Sequence, residues 1–142
     1  MKVLFDLNIV LDVVQRREPF YQMSAAALSI AVRGDAQGVF PCHGVTTVHY
    51  LVSRYADKRR ADELVDWLCN RFEIGAAGRR ECARARSLPF ADFEDAVVCA
   101  VAEACGCDGI VTRNLGDFSE SPIRSLSPEE FLIEVKGRDQ DD

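Results

Sequence analysis

Apolar positions along the chain fall into short unbroken runs that alternate with longer stretches at helical spacing. Lys2 to Phe5 reads as a short buried strand. Asn8 is placed to cap a helix from about Ile9 to Arg16, because its side chain can accept from free first-turn amides. Pro19 interrupts this pattern, and Phe20 to Arg33 forms the next helix, ended by Gly34. Val39 to Pro41 reads as a second strand. Thr46 to Tyr55 and Ala61 to Phe72 predict a helical hairpin, the second arm carrying Leu64, Leu68 and Phe72 at four-residue intervals with Trp67 beside them. Phe72 to Gly75 reads as a strand and Arg79 to Ser87 as a helix. After the break at Pro89, Phe93 to Cys105 is a strong helix. Gly109 to Thr112 has a strand signature, Ser121-Pro122-Ile123-Arg124 introduces a last short strand, and Ser127-Pro128-Glu129-Glu130-Phe131 opens a final helix. This alternation predicts a three-layer α/β/α sandwich with a short parallel sheet. Residues 1–135 form one domain, and 136–142 a charged, disordered tail.

With 142 residues, 48% of them hydrophobic, the chain has one substantial core and no room for two ordinary domains. No apolar run approaches the roughly 20 residues of a membrane span. Met1-Lys2 leads directly into a strand pattern instead of a signal peptide, so a soluble cytoplasmic protein with no membrane partner is expected. The six cysteines lack C-x-x-C pairing and read as reduced, buried thiols. Zinc is disfavoured, since His43 and His49 stand apart from any cysteine pair. The net charge of −6 argues against nonspecific adhesion to nucleic acid, although a carboxylate metal site would itself supply much of that charge. Arg16-Arg17, Lys58-Arg59-Arg60 and Arg79-Arg80 with Arg84 and Arg86 are either phosphate contacts or solvated helix faces.

The candidate chemistry lies in the acids. Asp6 ends the first strand, Asp92, Glu94 and Asp95 surround a helix start, and Asn114 and Asp117 follow the Ile110-Val111 strand. Carboxylates just beyond the carboxyl ends of parallel strands converge in one crevice. Such an oxygen-rich cluster suits a hard cation such as Mg²⁺. Each acid also has a purely structural reading. Asp6 can cap the next helix, Asp92 and Asp95 have capping-box spacing, and Asn114 and Asp117 are common turn residues. Asp12 reads as a solvated or supporting acid. His43, His49, Trp67 and the neighbouring aromatics read as packing residues.

Four segments, in this order, resemble a PIN domain, a small α/β fold found in metal-dependent ribonucleases that include the toxin half of VapBC-type toxin/antitoxin pairs. They are Phe5-Asp6-Leu7-Asn8-Ile9-Val10-Leu11-Asp12, Asp92-Phe93-Glu94-Asp95-Ala96, Val111-Thr112-Arg113-Asn114 with Asp117-Phe118, and Ser127-Pro128-Glu129-Glu130-Phe131-Leu132. The resemblance covers nearly the whole chain. It implies an endoribonuclease site in which Asp6, Asp95 and the Asn114/Asp117 segment surround one or two Mg²⁺ or Mn²⁺ ions, with Asn8, Thr112 and Arg113 in support. It also implies RNA as substrate, an antitoxin protein as partner and a homodimer. One position departs from the pattern. Family members commonly carry an acid near Thr47, and Thr46-Thr47-Val48-His49-Tyr50-Leu51 has none. Asp92 or Glu94 could supply replacement charge, and Thr47 or His49 could contact a metal-bound water.

The main expectation is therefore a Mg²⁺- or Mn²⁺-dependent ribonuclease with Asp6, Asp95 and Asp117 at its centre. The missing acid at Thr47 favours a competing one, a catalytically weak or inactive PIN-like binding module. A small-molecule phosphohydrolase ranks third, since the chain has no Gly-rich phosphate loop and no covalent-nucleophile motif.

Overall fold

Five short strands, the central β1 and β4 the most deeply buried, assemble side by side with every neighbouring pair parallel. In the computed structural model, which describes residues 1–141, the elements run β1 (Lys2–Phe5), α1 (Leu7–Val14), α2 (Tyr21–Val32), β2 (Gln37–Pro41), α3 (Cys42–Tyr55), α4 (Lys58–Arg71), β3 (Glu73–Gly75), α5 (Arg79–Ser87), α6 (Phe93–Ala104), β4 (Gly109–Val111), a 3₁₀ turn (Leu115–Phe118), β5 (Ser125–Leu126) and α7 (Pro128–Asp141). The strand order is β3-β2-β1-β4-β5. The chain moves outward from β1 to β3, then returns to add β4 and β5 on the other side. Right-handed crossovers consequently put α1 to α4 on one face and α5 and α6 on the other, which is the three-layer arrangement expected. The switch in direction falls between β1 and β4, where open α/β sheets form their crevice.

The core is nucleated on β1, whose Val3, Leu4 and Phe5 are fully buried. Phe5 meets Phe72 and Phe131 edge-on, each at a centroid distance of 5.8 Å, and so joins the end of α4 to α7. Trp67 packs on Phe72 at 5.4 Å, a core role. Helix α7 starts with a reciprocal cap, Ser127 Oγ accepting from the Glu130 amide while Glu130 Oε2 accepts from the Ser127 amide.

Several boundaries differ from the sequence expectation. Asp6, not Asn8, caps α1, because it follows the strand directly and its Oδ1 accepts from the Leu7 amide. Helix α3 begins at Cys42, four residues early. Gly44 lies in its first turn, where a Cβ would lie 2.9 Å from Leu7 Cδ1, so glycine is what lets α3 approach α1. Helix α4 begins at Lys58 behind an Asp57 cap, its first turn being charged and therefore absent from any apolar pattern. The last strand is Ser125–Leu126, while Ser121 and Ile123 form a turn through the Ser121 hydroxyl. Helix α7 continues through Asp141 and includes the segment expected as a disordered tail. Its residues after Val135 are exposed, held by helix hydrogen bonds and the Arg138–Glu134 pair instead of by the core. Asp142 lies outside the described residues. The thiols are free, but only Cys99 is buried; Cys105 and Cys107 are intermediate, and Cys42, Cys69 and Cys82 are exposed on outer helix faces. Among the described residues no helix is long and apolar enough to cross a membrane.

Gly75 in β3 tests this packing. A Cβ there would stand 2.5 Å from Val101 Cγ1 and 3.3 Å from Val39 Cγ1, both held in the core. Gly75→Ala should lower the unfolding free energy by about 1–3 kcal/mol, read as a lower urea midpoint with an unchanged slope.

Candidate functional site

Asp6 is delivered to the crevice by the β1 ladder, its amide donating to the Val111 carbonyl at 2.9 Å so that β1 and β4 end together. Its carboxylate is buried and fully engaged. Oδ1 accepts from the Leu7 amide at 2.8 Å, and Oδ2 accepts from the Thr112 hydroxyl at 2.8 Å and the Asn8 amide nitrogen at 3.1 Å. Burial raises the Asp6 pKa above the ordinary carboxylate value, opposed by the Thr112 and Leu7 hydrogen bonds and, more weakly, by Arg113. Thr112, fully buried, also accepts from the Asn114 amide at 3.1 Å and so pins the loop that leads to Asp117. The capping and the site-forming readings of Asp6 thus describe one side chain.

A second rung lies one turn along α1. Asp12, expected as a solvated or supporting acid, is fully buried and accepts from Arg113 Nε at 2.9 Å and Ser24 Oγ at 3.0 Å. Its four-residue spacing from Asn8 places both on one helix face. Asn8 meets Thr112 and Asp12 meets Arg113, so α1 is fastened to consecutive residues of the β4 loop.

The third strip of the site is the amino end of α6. Asp92 caps it, Oδ1 accepting from the Asp95 amide at 3.2 Å, as the capping spacing requires. Asp95 stands in the first turn, where the helix dipole favours a negative charge. Its pKa is nevertheless pushed up to about 7, first by burial and then by the charges of Asp6, Asp92, Asp117 and Glu94. Residues far apart in sequence therefore share one electrostatic neighbourhood. Asp92, Glu94, Asn114 and Asp117 are exposed at its rim, and Asp117 sits in the 3₁₀ turn, its amide donating to the Asn114 carbonyl.

Thr47 does not join this cluster. Its hydroxyl donates back to the His43 carbonyl at 3.2 Å. The sequence reading passes over His43 as packing, but His43 lies two residues past the carboxyl end of β2, the strand beside β1, so it borders the same crevice. Both ring nitrogens are buried without a hydrogen-bond partner, and burial lowers its pKa against the opposing effect of Glu94. Only its position after a strand end could have signalled this. His49 instead ties α3 to α4 through Asp62 at 2.8 Å.

The donors around Asp6 and Asp95 are carboxylate and amide oxygens, and the buried Oδ1 of Asn8 lacks a partner. Crowded carboxylates of this kind fit a hard divalent cation. Among the described residues, no three His, Cys, Asp or Glu side chains close into a ready metal cage.

Comparison with known proteins agrees with this architecture. Residues 2–116 match the model of the PIN domain family. The chain is similar to Ribonuclease VapC1 of Aquifex aeolicus (strain VF5), 28% identical over 135 residues that cover 92% of each protein. Among solved structures it resembles a chain of a toxin-antitoxin complex from Klebsiella pneumoniae, with TM-score 0.68 and 21% identity over 89% of this chain and 97% of that one. VapC20 of Mycobacterium tuberculosis, described as a sarcin-ricin loop cleaving toxin, gives TM-score 0.68 and 14% identity over 89% of this chain and 99% of the other. VapBC2 of Rickettsia felis, bound to a promoter DNA fragment, gives TM-score 0.67 and 17% identity over 89% and 98%. These structural likenesses are likenesses of fold.

The crowding of Asp95 has a measurable sign. A carboxyl whose folded pKa is raised from 3.8 to about 7 costs the folded state nothing while both states are protonated. The cost grows as pH rises through that window and is complete above it. In metal-free protein, Asp95→Asn should raise Tm at pH 8 by clearly more than at pH 4. An equal Tm difference at both pH values contradicts the crowding.

Proposed function

The chain belongs to the PIN domain family, and on that premise we propose that it is a Mg²⁺- or Mn²⁺-dependent endoribonuclease, acting as the toxin of a toxin/antitoxin pair. The observation that carries this reading is the gathering of Asp6, Asp92, Glu94 and Asp117 around Asp95, whose burial first and these charges second bring it to a pKa of about 7. Asp6, Asp95 and Asp117 would hold the cation, with Asp92 and Glu94 adding charge where the acid near Thr47 is missing. A divalent cation bound there supplies Lewis acidity toward a phosphodiester and offsets the carboxylate charge.

The chain's own contribution is positioning and proton control. Thr112 and Asn8 fix the rotamer of Asp6, so its carboxylate presents one orientation to the crevice. In the empty crevice Asp95, with a pKa of about 7, is partly protonated near neutral pH, and it would give up that proton on holding the cation. Arg113, held by Asp12 through Nε, keeps its other donors for a phosphate oxygen. Single-stranded or structured RNA is the substrate class. The likeness to toxin-antitoxin complexes supports an antitoxin partner; that this partner covers the site and that the toxin is a homodimer are parts of the same proposal.

A second reading, a weakly active or inactive binding module, is favoured by one observation: Thr47 donates to its own helix and offers the site no charge. A single assay separates the two. Metal-stripped protein is incubated with labelled single-stranded RNA and then given Mg²⁺ or Mn²⁺. Cleavage should depend on the added metal and fall by at least about 100-fold in Asp6→Asn and in Asp95→Asn, since the ion contributes several kcal/mol to the transition state. Metal-independent cleavage, or equal cleavage by Asp95→Asn, would mark contamination and favour the binding module. In the same assay Thr112→Val, which removes one donor to Asp6, should cost about 10–100-fold while the protein stays folded by circular dichroism.

A further inference from the structure

Beside the acid cluster lies a second concavity, about 420 Å³ in volume, bordered by Phe20, Met23, Ser24, Arg113, Ser127 and Glu129. Its chemistry is mixed in a specific way. Phe20 and Met23 are large apolar residues left 40% and 37% exposed. The Arg113 guanidinium carbon stands 4.2 Å from the centre of the Phe20 ring, a close cation–π stack. Ser24, Ser127 and Glu129 complete the wall, the Ser24 hydroxyl being committed to Asp12 and the Ser127 hydroxyl to the α7 cap. A planar group entering here would meet an aromatic and guanidinium platform with the Glu129 carboxylate at its border.

The platform is built rather than accidental. Arg113 is anchored by the fully buried Asp12, which also receives the Ser24 hydroxyl, so one carboxylate fixes two residues of the wall. Its position relative to the acids is fixed as well. Arg113 follows Thr112, which donates to Asp6. Helix α1 rises about 1.5 Å per residue, so Asp12 stands about 9 Å from Asp6 along the axis. That is the scale of one or two nucleotide steps along a single strand. A phosphate at the acid cluster would leave a neighbouring base within reach of the concavity, with Arg113 between them and positively charged toward the backbone.

We propose that this concavity is a nucleobase subsite, in which one unstacked base of a single-stranded RNA beside the scissile phosphate lies against Phe20 and Arg113. Unpaired RNA bases are commonly held in this way, on aromatic rings and guanidinium planes. The proposal deepens the ribonuclease reading and rests on it for the class of ligand. It adds that selectivity lies in the α1–α2 connection and the start of α7, away from the acids.

The test reads equilibrium binding, so it does not depend on cleavage. Fluorescein-labelled single-stranded RNA is titrated with the full chain in metal-free buffer, then with Phe20→Ala and Phe20→Trp. A parallel RNA series carries one abasic site moved step by step along the strand. Stacking loss predicts about 5- to 150-fold weaker binding for Phe20→Ala, near-parental binding for Phe20→Trp, and one abasic position at which parental and Phe20→Ala proteins bind alike. This pattern in a protein that cleaves nothing would sustain the subsite and sink the ribonuclease reading. Unchanged RNA binding by Phe20→Ala, with or without cleavage, overturns the subsite. If Phe20→Ala instead leaves RNA binding intact and weakens self-association in sedimentation, the concavity is a protein contact and the proposal also fails. Failure of the parental protein to bind any RNA in metal-free buffer overturns the subsite and leaves the metal-dependent ribonuclease reading to the cleavage assay.

Discussion

Everything at the crevice depends on one buried carboxylate. Asp6 ends β1, caps α1 and accepts from Thr112 at the end of β4, so three elements are joined by a single side chain. A buried carboxylate is tolerable only when its charge is matched by donors, and here a backbone amide, a hydroxyl and a side-chain amide provide them. Those contacts also determine what surrounds it. Thr112 pins Asn114, and Asn8 lies one helical turn before Asp12, which holds Arg113. The parallel sheet brings the strand ends together, and the Asp6 contacts fix the orientation of what stands on them.

Much of this was legible in the sequence because it follows from local rules. Apolar runs ended by an acid, a Ser-Pro-Glu-Glu helix start and the α6 periodicity each correspond to an element of the fold. The α/β layering followed from their alternation. What escaped was set by tertiary contact. The start of α3 at Cys42 was missed because Gly44 is there for α1, which packs where its Cβ would be. Asp12 resembles a surface acid until Arg113, 101 residues away, turns toward it. The cysteines were assigned to the core because most lie within apolar helical patterns, although Leu68 and Ala85 occupy the inward positions of helices whose Cys69 and Cys82 face out.

The site shows the same division. Asp6, Asp92 and Asp95 were identifiable because strand ends and helix caps are readable from one sequence. The electrostatic link among them was not, since it requires the amino end of α6 to lie over the β1–β4 edge. His43 was missed for a related reason: nothing in Pro41-Cys42-His43-Gly44 marks a residue whose ring nitrogens both lack partners, until β2 is placed beside β1.

One consequence follows from the position of Asp95 near neutrality. A carboxyl with a pKa of about 7 is partly protonated in the empty crevice at cellular pH. On the metal-dependent reading proposed above, a cation entering would displace a proton, and binding would be an exchange between the two. Its apparent affinity then rises with pH below neutrality and levels off above it. Clustered acids usually make a site that is permanently anionic. Here the same clustering gives one whose charge adjusts to its occupant, so the crevice can stand empty without holding the full repulsion of its carboxylates.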